Sequence, residues 1–115
     1  MADFQSDRQF IDPETKGTRM VPASFSYSLV AANAAVKSGA GFLHSLTFAC
    51  NDAAPTAGTI DVYDNTAGSG TKIYSETFTT TVFRGYSVIL DVAFATGLYV
   101  KFTTTADINV AVSYR

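Results

Sequence analysis

The chain predicts an all-β fold: an antiparallel sandwich of seven to eight strands, jelly-roll or immunoglobulin-like, with an extended N-terminal arm. Three observations carry this. Runs rich in Val, Ile, Thr, Tyr and Phe recur at spacings of about ten residues, as in sandwiches and barrels. Clusters of Gly, Pro, Asn and Asp separate them, and these residues supply the dihedrals that turns need. No stretch of consequence keeps a helical period.

Residues 1–22 stand apart as the arm, and residues 23–115 form the sandwich domain. The first segment shows neither alternation nor a helical face, and Pro13, Gly17 and Pro22 interrupt it. Phe4, Phe10, Ile11, Met20 and Val21 nevertheless make it too apolar for a solvated tail. A frayed terminus is the plain reading. An arm that orders on docking, with its Phe side chains as anchors, is the sharper one.

Residues 24–30 alternate strictly, with Phe25, Tyr27 and Leu29 on one face and serines on the other, the pattern of a half-buried strand. The alanine-rich run 31–37 reads as a bend into a short strand at 34–37, and 38–41 as a turn. A meander follows over 41–51, 58–64 and 72–78, its turns marked by Pro55 and Gly58 and by Asn65, Gly68 and Gly70. Alternation along 41–51 groups Phe42, His44, Leu46, Phe48 and Cys50 on one face and Leu43, Ser45 and Thr47 on the other. Ile60 and Val62 oppose Asp61 and Tyr63. Residues 86–92 are apolar on both faces and so read as a central strand. In the last two strands, 98–104 and 108–114, the inward residues are Leu98, Val100 and Phe102, then Ile108, Val110, Val112 and Tyr114.

At 115 residues the chain is one domain, and 47% hydrophobic residues suffice for a core. The net charge of −2 argues against a general nucleic-acid binder and offers no polybasic lever on a membrane. Neither a signal peptide nor a membrane span is read from it, and the lone Cys50 excludes a disulfide framework. A reducing cytoplasm is the expected place of synthesis. Of 18 charged residues, 7 fall in the first 19 positions. The other 96 positions carry 11, roughly 11% against about 25% in an average protein. So charge-poor a body suits packing against copies of itself or a partner; a Thr-rich solvated face is the bland alternative.

Chemistry is sparse. His44 is the single histidine, and Ser45 and Cys50 are the nucleophiles it would need, yet neither sits on a strained turn. Hence no catalytic residue, cofactor or metal ligand is expected. Asp61, Asp64 and Asn65 precede a Gly-rich loop and invite a calcium reading, but lack the spacing of an EF-hand and suit an Asx-turn better. Tyr63, Tyr74 and Tyr99, if exposed, would suit stacking on sugars.

Several stretches resemble capsid decoration (cement) proteins of tailed bacteriophages. They are the entry at 36–44 (VKSGAGFLH), the strand and hairpin at 58–72 (GTIDVYDN, then GSGTK), the turn at 94–99 (FATGLY) and the terminal run at 106–115 (ADINVAVSYR). The resemblance spans roughly residues 34–115 and leaves the arm outside it. It implies a non-enzymatic virion structural protein on the outer capsid surface, assembled in the host bacterial cytoplasm. Its partners would be the major capsid protein and itself, as a homotrimer or dimer, with no nucleic acid or membrane. On that reading Phe4, Arg8, Phe10, Ile11, Arg19 and Met20 are the capsid-binding arm residues. A glycan- or host-surface-binding head-fibre or tail-tip module is the alternative.

Overall fold

The computed structural model describes residues 24–115, which form eight strands and no helix. In chain order they are β1 (Ser26–Val30), β2 (Ala34–Ser38), β3 (Gly41–Cys50) and β4 (Gly58–Asp64), then β5 (Thr71–Phe78), β6 (Tyr86–Phe94), β7 (Gly97–Thr103) and β8 (Ile108–Tyr114). Two four-stranded antiparallel sheets result, ordered β1-β8-β3-β6 and β2-β7-β4-β5. The pairs β1·β8, β2·β7, β3·β6 and β4·β5 are the rungs of one long hairpin closed between β4 and β5. Rolling that hairpin sets β3 beside β8 and β4 beside β7. This connectivity is that of a jelly roll, which decides between the two sandwich types expected.

The core lies between the sheets. Leu46, Phe48, Val110 and Val112 from one sheet and Ile60, Val62, Leu98 and Val100 from the other are fully buried. Toward one end Phe48 gathers an aromatic group, with Phe78 edge-on at 5.6 Å, Tyr86 at 5.4 Å and Tyr74 at 6.5 Å between ring centroids. Phe83, from the segment before β6, stacks on Phe78 at 5.2 Å. The Tyr74 hydroxyl donates to the Glu76 carboxylate, and that bond together with partial burial pushes its pKa up to about 12. Tyr86 also rises to about 12, first through burial and then through the negative charge of Glu76.

The expected meander over 41–51, 58–64 and 72–78 is broken after its first strand, because rolling the long hairpin puts β3 in one sheet and β4 and β5 in the other. Three single elements also depart from the expected arrangement. β1 turns its apolar side outward: Tyr27 is 85% and Leu29 66% exposed. Its register with β8 sets Ser28 opposite Val112 and Val30 opposite Val110, and directly opposed residues share a face. Since Val110 and Val112 are core residues, Ser28 and Val30 follow them inward and the larger side chains are left outside.

In β3 a bulge at His44 breaks the alternation. Between Leu43 and Ser45 the strand spends one residue more than β8 and one fewer than β6. Leu43 and Leu46 are consequently both fully buried though three residues apart, and His44 leaves their face.

The third departure is β6, which is an edge strand and not a central one. Its inward residues Val88, Leu90 and Val92 are only half-buried. The extra β6 residue at the bulge places Asp91 in the left-handed region, at φ 48°.

Candidate interaction surface

The few charges of the strands are divided unequally between the sheets. β1, β3, β6 and β8 carry one formal charge, Asp91. The other sheet carries Lys37, Asp61, Asp64, Lys72, Glu76 and Lys101. Charge depletion thus belongs to one sheet and not to the surface as a whole.

Two rungs cross the outer face of that uncharged sheet. One runs Tyr27–Ser113–Ser45–Ile89 and the next Leu29–Ala111–Thr47–Ser87. The middle strands present a floor of Ser, Ala and Thr, bounded by Tyr27 and Leu29 on one side and by Ile89, 60% exposed, on the other. Thr47 and Ser87 satisfy each other through their hydroxyls at 2.7 Å. Small side chains on the floor with bulky apolar ones at the margins make a shallow trough, wettable and with its ionic groups, Asp91 and Arg115, confined to one end.

One end of the trough is fixed by a side-chain cluster. His44 donates from Nδ1 to the Asp91 carboxylate at 2.5 Å, spanning the bulge. Phe25 stacks on the imidazole with centroids 4.5 Å apart. The Arg115 guanidinium lies over both Phe25 and Phe42, 5.0 and 5.1 Å from the ring centroids. Arg115 also exchanges both backbone hydrogen bonds with Phe42. The imidazole therefore bonds a carboxylate from the neighbouring strand β6.

Nothing in this cluster assembles the nucleophilic chemistry considered for His44. Ser45 lies in the rung between Ser113 and Ile89, and the Cys50 thiol donates to the Asp52 carbonyl at 3.5 Å.

The acidic group before the Gly-rich loop is split among structural tasks. Asp61, 8% exposed, accepts from the Ser75 hydroxyl at 2.5 Å and lies 3.5 Å from the Lys72 ammonium. Asn65 donates to the Ser69 carbonyl and accepts from the Thr66 N–H, closing its own loop. Asp64 accepts backbone N–H bonds from Ala95, Thr96 and Gly97, capping the β6–β7 turn. No cluster able to hold a metal ion occurs among the described residues.

The N–H groups of Ala95 and Thr96 in particular hold the Asp64 carboxyl below its ordinary value of 3.8. A depressed carboxylate contributes stability above its unfolded pKa and loses it as pH falls through its folded one. Asp64→Asn is accordingly expected to melt below the parent at neutral pH. That gap should narrow as pH drops below about 4, measured by thermal denaturation across the acid range. A gap that stays constant down to acid unfolding would contradict the capping role.

The three tyrosines considered for sugar stacking offer no open platform. Tyr63 is buried, and Tyr74 turns toward Phe48. The 65–70 loop approaches Tyr99 so closely that a Cβ on Gly68 would sit 3.1 Å from its ring. The most exposed tyrosine of the sandwich is Tyr27, on the other sheet.

The arm residues Phe4, Arg8, Phe10, Ile11, Arg19 and Met20 lie outside the described residues. No protein-family model, curated protein or solved structure matches the chain.

Proposed function

We propose that this chain is a non-enzymatic virion structural protein that binds and stabilises the outer surface of a tailed-phage capsid, as a cement or decoration protein. The observation that carries the reading is the unequal division of charge: one sheet carries only Asp91 on its strands, with Arg115 just past the last of them, and exposes Tyr27, Leu29 and Ile89. Such a face costs little to desolvate, and its apolar margins gain by leaving water. The jelly-roll frame and the resemblance of residues 34–115 lend support as analogy. A ligand that binds the assembled lattice and not its free subunits raises shell stability by mass action. Several linked copies seated on a symmetric lattice gain avidity without new contacts.

The test is a binding assay on shells of the encoding virus that lack the protein. The parent chain is expected to saturate them and to raise their heat resistance. Ala111→Lys, which puts an ammonium on the trough floor, and the arm double variant Phe4→Ala/Phe10→Ala are each expected to raise the Kd for shells about tenfold or more, equivalent to at least about 1.4 kcal/mol. An unchanged Kd in both variants, with unchanged circular dichroism, would reject the reading.

A further inference from the structure

We infer that two copies of this chain pair through their β1 edges, antiparallel about a two-fold axis at Ser28, to form one continuous eight-stranded sheet. The sandwich has four edges, and three carry a feature that resists pairing. β6 is bulged at Asp91, and β2 has a register shift between Ala35 and Lys37 and carries that lysine. β5 bears Lys72 and Glu76 and is irregular opposite Tyr63. Bulges and charges of this kind are how edge strands avoid adding further strands.

Among the described residues, β1 has none of these protections. Its register with β8 is unbroken over Ser26–Val30, and it contains no charge and no proline. Of the five exposed large hydrophobic residues in the described structure, Phe25, Tyr27 and Leu29 fall within or beside it.

The occupant must be a strand offering free backbone N–H and C=O groups, uncharged, with large apolar side chains on the outer face and small ones on the inner. β1 itself meets every term, and β2, β5 and β6 fail on charge or bulge. Antiparallel pairing centred on Ser28 sets Tyr27 of one copy against Leu29 of the other, twice, on the outer face. Serine 26 opposes Val30 and Ser28 opposes Ser28 on the inner face. Because the contact is isologous it closes at two copies and leaves no β1 edge free to propagate a fibre. It would also join two uncharged troughs side by side on one face. The pairing concerns the free protein, so it stands or falls separately from shell binding.

Light scattering on a size-exclusion column, with the full chain over a wide concentration range, tests this. The expected mass is twice the 12.2 kDa of one chain. Leu29→Lys and Tyr27→Lys, both at positions exposed in the single chain, are expected to halve that mass while leaving the circular dichroism spectrum of the folded chain near the parent's. Ile89→Lys, on the same face at the opposite edge, should leave the doubled mass intact. A parent that remains a single chain at every concentration would overturn the pairing, as would a three-chain mass, which needs unlike surfaces in contact. So would a doubled mass that survives both lysine variants, or one that Ile89→Lys abolishes equally, since that would indicate packing face to face.

Discussion

Phe48→Ala is expected to destabilise the sandwich by about 3–5 kcal/mol, the range for removing a fully buried phenylalanine. Domains of this kind have only about 5–15 kcal/mol in total, so the variant should lose a large share of its stability and melt well below the parent. The size of the effect follows from position. Phe48 is the ring about which Tyr74, Phe78 and Tyr86 are arranged, and those three come from β5 and β6, one in each sheet's edge. No neighbour can fill the void without abandoning its own contacts, because Tyr74 is tied to Glu76 and Phe78 is stacked on Phe83. Denaturant unfolding followed by circular dichroism measures the loss. Val82→Ala, at a side chain 53% exposed and away from the β1 edge, is the control and should change stability by less than about 0.5 kcal/mol. A Phe48→Ala loss no larger than the control's would mean that the aromatic end does not hold the sheets together.

Much of the frame was legible in the sequence because turn residues and strand residues are well separated. The strand beginning at Gly58 lies between Pro55 and Asn65, and the observed β4 ends at Asp64. Ile108, Val110 and Val112 are inward, as their alternation predicts. What alternation cannot reveal is which side of a strand faces the partner sheet. For β1 the pattern favours burying Phe25, Tyr27 and Leu29, while the register imposed by β8 buries Val30 and leaves Tyr27 outside. The bulge at His44 was equally hidden, since it arises from unequal residue counts on β3, β6 and β8 and not from any local turn signal.

The interaction surface was half visible for the same reason. Low charge after residue 19 is a compositional fact and could be read directly. Its concentration on one sheet depends on which strands become neighbours, and rolling the hairpin brings together β1, β3, β6 and β8, distant in sequence. Asp91 and Arg115, which anchor one end of the trough, gave no signal because their partners, His44, Phe25 and Phe42, are tens of residues away. The outward Ser45, Thr47, Ala111 and Ser113 were readable as small polar or neutral positions, but only pairing makes them a continuous floor.

Gly58→Ala is the second substitution expected to have a large effect, and it acts on the other sheet. A Cβ at Gly58 would stand 2.4 Å from the Thr103 carbonyl oxygen and from the Thr104 Cβ, and 2.8 Å from the Thr104 Cα. Two of these three atoms belong to the backbone at the end of β7 and cannot rotate away as the tip of a flexible side chain could. Relief requires β4 and β7 to separate where they pair, and the expected cost is at the upper end of the ~1–3 kcal/mol typical of overpacking. Gly39→Ala separates this steric effect from conformational strain. Gly39 has φ +88° with nothing within 4 Å of its added Cβ, so its substitution should cost only the left-handed penalty of about 1–2 kcal/mol. Thermal unfolding of the two variants should therefore rank Gly58→Ala clearly below Gly39→Ala; the reverse order would show that the β4–β7 junction yields easily. Because the clash lies in the charged sheet, molecules of Gly58→Ala that remain folded should keep the β1 edge and its pairing. Loss of self-association in that folded fraction would place the contact between copies on the charged sheet instead.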